Sequence, residues 1–204
     1  MSNSSPLAVS RHSDAYWRAT FDNPPLNLID PETIVALPEL MDTLEKDPAV
    51  KVVVFDSADP QYFIAHFDVA RGGELPGPGP TGLPAWPDLA TRLTRTPFVT
   101  IAEIRGRARG LGSEFALACD PRFASREKSL FGQPEVVIGL VPGGGSIEVL
   151  SALVGRFARR IATFEQPALA AAKAHRGEGG EQGGGELGVL FGWDQEAERA
   201  DALV

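Results

Sequence analysis

The sequence predicts an α/β fold, and three observations carry that expectation. Residues 50–55 and 98–104 are short, mostly apolar runs, as expected of strands buried on both faces. Ile34, Leu37, Leu40, Met41 and Leu44 recur at helical spacing between Pro31 and Lys46. A second helix-forming stretch, 110–117, follows the second apolar run, so strands and helices alternate along the chain.

Each element has a local reason. Residues 1–14 are polar and Ser-rich and read as a flexible tail. Residues 16–21 alternate aromatic and polar side chains, as an edge or half-buried strand does, and Asn23-Pro24-Pro25 ends them. Asp30 is a suitable N-cap and Pro31 a suitable first helical residue. Pro38 falls inside this helix and is a candidate kink. Residues 71–88 hold five Gly and five Pro among eighteen, which predicts a mobile loop. A short helical piece is expected at 89–93 and a short strand at 121–124. The helix at 110–117 is entered through glycine. Ser146 closes a glycine run and is a candidate N-cap for a helix to 153.

Further on, 168–174 is alanine-rich and helix-prone, and 194–204 could form a short charged helix. Between them, 177–192 hold eight Gly among sixteen, a composition that is costly to order. There is no internal sequence repeat. The organisation expected is a tail at 1–14, a core at 15–162 and a glycine-rich segment at 163–204.

The bulk properties narrow the function. A chain of 204 residues with 43% hydrophobic residues can bury one sizeable core. A net charge of -8 argues against nucleic acid and anionic membrane surfaces as partners. An acidic chain can still hold an anionic ligand through local cations and backbone N–H groups. The single cysteine, Cys119, allows no intrachain disulfide and lies on an apolar helix, where packing is the expected role. With no apolar run near ~20 residues and no signal-peptide pattern, a cytoplasmic location is expected.

The chemistry-bearing residues are two glutamates, 21 positions apart. Glu114 sits in Gly110-Leu111-Gly112-Ser113-Glu114, and Glu135 in Gly132-Gln133-Pro134-Glu135. Two carboxylates beside glycine turns can share acid and base work on one substrate. Leu111 opens a predicted helix, where N–H groups are unpaired and negative charge is favoured. Glycines at 110 and 112 allow a ligand close to the backbone. Gly143-Gly144-Gly145-Ser146 lacks the lysine of a phosphate-binding loop and reads as a tight turn into a helix. Trp86 either caps an apolar ligand or only anchors its loop. Arg107 and Arg109 read as solvated or paired, and a ligand contact is the lesser reading.

Four motifs in order resemble the enoyl-CoA hydratase/isomerase, or crotonase, family. They are Asn23-Pro24-Pro25-Leu26-Asn27, Tyr62-Phe63-Ile64-Ala65-His66-Phe67-Asp68, the stretch 105–120, and 131–145. The resemblance implies a crotonase-like spiral of ββα units with peripheral helices, and a homotrimer or hexamer. It implies an acyl-CoA substrate, with coenzyme A part of the substrate and no separate cofactor or metal. The N–H groups of Phe67 and Leu111 would form an oxyanion hole for the thioester carbonyl. Leu26, Ala65, His66, Asp68, Val69 and Gly110 would border the substrate. In family hydratases the residue matching Glu114 activates water and that matching Glu135 protonates the α-carbon.

This chain departs from the family at His66, where glycine is usual, and at Phe67, where alanine is common. His66 is read either as a solvated loop residue or as a group that narrows the pocket. The motifs fade near residue 162, where the family continues with helices that close the acyl pocket and build the trimer. A truncated or frame-shifted reading would leave that pattern, and so would a genuine variant. Hydration of a 2-enoyl-CoA is the leading expectation. Isomerase or hydrolase chemistry, or a catalytically impaired CoA-binding protein, are the alternatives.

Overall fold

The computed structural model describes residues 5–139 and 141–146, and 155 and 166 singly. Contacts divide the chain into two compact units, Met1–Leu153 and Val154–Val204, and every element named below lies in the first. The helices expected beyond Ser146, the alanine-rich stretch and the glycine-rich segment lie outside the described residues.

Strands β1 (Leu7–Arg11), β2 (Tyr16–Phe21), β3 (Val52–Ser57), β5 (Val99–Ile104) and β7 (Arg122–Ala124) form one sheet, in the order β1-β2-β3-β5-β7. Strands β4 (Tyr62–Ile64), β6 (Arg107–Arg109) and β8 (Leu130–Gly132) form a second. Only the β1–β2 pair is antiparallel. Helices α1 (Pro31–Lys46), α2 (Ala85–Leu93) and α3 (Leu111–Ala118) join them, with 3-10 turns at Val69–Glu74 and Pro134–Ile138. From β3 onward each turn of the chain gives its first strand to the large sheet and its second to the small one. The result is a spiral of ββα units, repeated in structure though not in sequence.

Helix α1 forms as expected. The Asp30 carboxylate accepts from the N–H of Thr33 at 2.8 Å and from its hydroxyl at 2.7 Å. The helix runs unbroken through Pro38 and buries Ile34, Leu37, Leu40, Met41 and Leu44. Strand β3 begins two residues later than its apolar run, because pairing with β2 sets Tyr16 opposite Val52. Its polar end is accommodated by an ion pair between buried Asp56 and Arg18 at 2.5 Å.

Three expectations are corrected. Residues 7–11 are not tail but β1, an edge strand held by its ladder with β2, which polar side chains do not report. Residues 85–88 belong to α2, since Pro87 falls in the first turn, where its missing N–H costs nothing. The loop before α2 is fastened rather than loose: the Thr81 N–H donates to the buried Asp88 carboxylate at 2.7 Å, and Gly79 packs against it. Strands β4, β6 and β8, three residues each, were too short to give a periodic signal.

The core is built from the large sheet, β4 and the three helices. Phe21, Phe55, Phe63 and Phe115 are fully buried, and Phe115 meets Phe55 edge-on at 5.0 Å and Phe21 at 5.3 Å. Phe115→Ala is expected to lower the unfolding free energy by about 3–5 kcal/mol in chemical denaturation. A loss below about 1 kcal/mol would show that the cluster collapses around the gap.

Candidate active site

The small parallel sheet delivers every central residue to one rim. The register Ile64↔Ala108 sets Ala65-His66-Phe67, leaving β4, beside Gly110-Leu111, leaving β6. The register Arg109↔Gly132 sets Gly110 beside the turn that follows β8 and carries Glu135. The N–H of Gly110 donates to the carbonyl of Gly132 at 2.8 Å and secures that junction. Gly112 is forced by closeness, since a Cβ there would lie 2.5 Å from the Ile64 carbonyl oxygen.

Two backbone donors meet this rim. Phe67 pairs with Ile29 in a parallel bridge, in which Ile29 donates to His66 and accepts from Asp68. That pattern turns Phe67's own N–H away from Ile29, and it has no acceptor among the described residues. The Leu111 N–H is the first of α3 and likewise has none among the described residues. Gly110 adopts φ 51°, a left-handed conformation that favours glycine.

Glu114 lies in the first turn of α3 and is 3% exposed. Its Oε1 accepts from the N–H of Gly144 at 3.0 Å and of Ser146 at 3.2 Å. Its Oε2 is buried without a partner among the described residues, and so is Oε2 of Glu135. Glu135 follows Pro134 at the start of its 3-10 turn, and its Oε1 lies 2.7 Å from where a Cβ on Gly110 would stand. Both carboxylates therefore border the N-terminus of α3, each with a buried Oε2 that has no partner among the described residues.

Burial raises the Glu114 carboxyl above its ordinary range. The N–H groups of Ser146 and Gly144 oppose the rise, and the charge of Glu135 adds to it. Carbon-13 NMR of the carboxyl is expected to show Glu114 titrating above the ordinary glutamate value. A midpoint at or below the ordinary value in the unaltered chain would overturn the burial account.

The other residues expected to border the substrate lie before and after β4. Ala65 is buried and donates its N–H to the Asn27 carbonyl at 3.2 Å, while Leu26 is half-buried. The Nδ1–H of His66 donates to the Phe67 carbonyl at 2.8 Å, so the imidazole is tied to the backbone beside the Phe67 donor. Asp68 caps the turn Val69–Glu74 by accepting from the N–H of Ala70, and Val69 is exposed. Arg107 stacks over Tyr62 at 5.5 Å. Cys119 is buried, which pushes its thiol up to about 12 and makes it a poor nucleophile.

Sequence reasoning missed two contributors. The glycine turn at 143–146 supplies the donors that hold Glu114. The signal available was a run of backbone N–H groups free of side chains, with no lysine to make it a phosphate loop. Asn27, buried at φ 50°, was noted only as part of a motif. Its side chain donates to the hydroxyl of Ser57 at 2.6 Å and accepts from the N–H of Asn23 at 2.7 Å, bracing the chain beside β4.

A spiral of ββα units of this kind is the fold of the crotonase class. The sequence profile of the enoyl-CoA hydratase/isomerase family matches residues 13–177. The chain belongs to that family. It is 32% identical over 165 residues to the fatty acid oxidation complex subunit alpha of Aliivibrio fischeri, covering 76% of this chain and 23% of that one. It is 33% identical over 131 residues to the short-chain-enoyl-CoA hydratase of Clostridium acetobutylicum, covering 64% of this chain and 50% of the relative. The chain thus spans half or less of the length of these curated relatives. A crystal structure of a Streptomyces avermitilis protein assigned as an enoyl-CoA hydratase superposes with a TM-score of 0.67 at 30% identity, covering 84% of this chain and 78% of that one. Among the described residues no helix is long and apolar enough to cross a membrane.

Proposed function

We propose that the chain is an acyl-CoA enzyme that hydrates a 2-enoyl-CoA. The observation that carries this reading is the pair of buried carboxylate oxygens of Glu114 and Glu135 near the α3 N-terminus, without partners among the described residues. The thioester carbonyl accepts hydrogen bonds from the N–H groups of Phe67 and Leu111, which are free of backbone acceptors among the described residues. Negative charge that develops on that oxygen as an enolate forms is stabilised there, a device worth roughly 3–4 kcal/mol of barrier per donor. Glu114 in its carboxylate form takes a proton from water, whose oxygen bonds to the β-carbon. Glu135 enters the reaction as the carboxylic acid and gives its proton to the α-carbon as the carbon–carbon double bond becomes single, and the proton held by Glu114 returns to Glu135 through solvent before the next turnover.

The names of the matched relatives agree with this chemistry, and three or six copies are the accompanying assembly. The test is direct: the purified chain is mixed with crotonyl-CoA and the absorbance of the conjugated thioester is followed. A fall that depends on enzyme and yields the 3-hydroxyacyl product supports hydration. No fall, under conditions where the chain binds a saturated acyl-CoA, would leave a CoA-binding protein without hydratase activity.

A further inference from the structure

We propose that Trp86 is a positioning residue, whose indole N–H fastens the glycine turn that holds the Glu114 carboxylate. The inference rests on the reading of Glu114 as the group that activates water.

Trp86 is the second residue of α2 and is 8% exposed, with its ring 6.3 Å from that of Phe115. Its Nε1–H donates to the carbonyl of Gly144 at 3.2 Å. The N–H of the same Gly144 donates to Glu114 Oε1 at 3.0 Å. One residue is therefore gripped on both sides of its Cα, by an indole from α2 and a carboxylate from α3. There is no spare room: a Cβ on Gly144 would collide with Glu114 Oε2 and stand 2.5 Å from the indole nitrogen.

Three consecutive glycines, 143–145, have the greatest conformational freedom a backbone can have, so this turn needs an outside tether to keep its two donors aimed. A buried indole N–H in turn requires an acceptor. The start of α2 is itself held, because Asp88 accepts from the Thr81 N–H one helical turn from the Gly/Pro loop. Glu114 is thus oriented through Gly144 by a side chain whose hydrogen bond goes to the Gly144 carbonyl and not to the carboxylate. Losing the tether frees Oε1 and lets the carboxylate drift from the alignment that proton transfer needs.

The test replaces Trp86 with 3-benzothienylalanine, which keeps the ring shape and exchanges N–H for sulfur, with Trp86→Phe as a second variant. For crotonyl-CoA hydration, kcat is expected to fall about 10-fold or more with KM nearly unchanged. The acidic limb of the pH profile should move to higher pH, because the N–H donors that favour the Glu114 carboxylate are lost while burial, the first cause of its raised value, remains. A second readout needs no turnover. Of the indole N–H signals of Trp17, Trp86 and Trp193 in the nitrogen-15 NMR spectrum, the one removed by Trp86→Phe should move with pH through the Glu114 titration. That movement should vanish in Glu114→Gln. A Trp86 signal flat with pH, or a sulfur analogue with unaltered kcat and pH profile, would overturn the proposal. If the unaltered chain hydrates nothing, the functional reading fails while the indole titration still decides the tether.

Discussion

Glu135→Gln is expected to lower hydration of crotonyl-CoA by at least about 10²-fold, with binding of the CoA portion almost unchanged. Glutamine has the shape of glutamate and keeps the close approach to Gly110, where the Glu135 Oε1 now lies. What it cannot do is give a carboxylic proton to the α-carbon. Turnover and calorimetric binding of a saturated acyl-CoA separate the two effects. Near-normal turnover in the variant would sink the assignment of hydratase chemistry to this glutamate.

The second large effect belongs to the backbone. Leu111 is the first residue of α3, a position where proline is well tolerated because its N–H has no helical partner. Leu111→Pro should therefore fold, as circular dichroism would show, and yet lose roughly 10²–10³-fold in kcat for want of one oxyanion donor. Leu111→Ala keeps the N–H and gives up only a partly buried side chain, so most of the activity should remain. A folded and fully active proline variant would place the second donor elsewhere. The contrast between the two variants, at one position, distinguishes the role of the backbone from that of the side chain.

The fold was legible where hydrophobic patterning ran long enough to show a period. Helix α1 announced itself through Asp30, Pro31 and five spaced apolar residues, and β3 and β5 through their apolar runs. The small sheet was not legible, since three-residue strands carry no measurable alternation and their pairing joins distant parts of the chain. Both glutamates and both backbone donors were named from motifs, and the small sheet brings their segments to one rim. The grip on Glu114 was hidden for a physical reason: its donors are the main-chain N–H groups of Gly144 and Ser146, which residue identity does not report. The roles of Trp86 and Asp88 were hidden too, because a buried polar atom and its partner lie far apart in sequence.

The three-residue strands have a thermal consequence. Phe67, Leu111 and Glu135 all hang from the ends of β4, β6 and β8, while the buried Phe63, Ile64 and Ala108 of those strands are part of the same core as the five-stranded sheet. The ends of strands that short are held by few ladder bonds, so the segments beyond them open at a lower free energy than the buried strands themselves. Warming would then misalign donors and carboxylates while the larger sheet still holds. The temperature of half-inactivation would lie below the Tm of the protein, and the smaller sheet would set the upper limit of its working range.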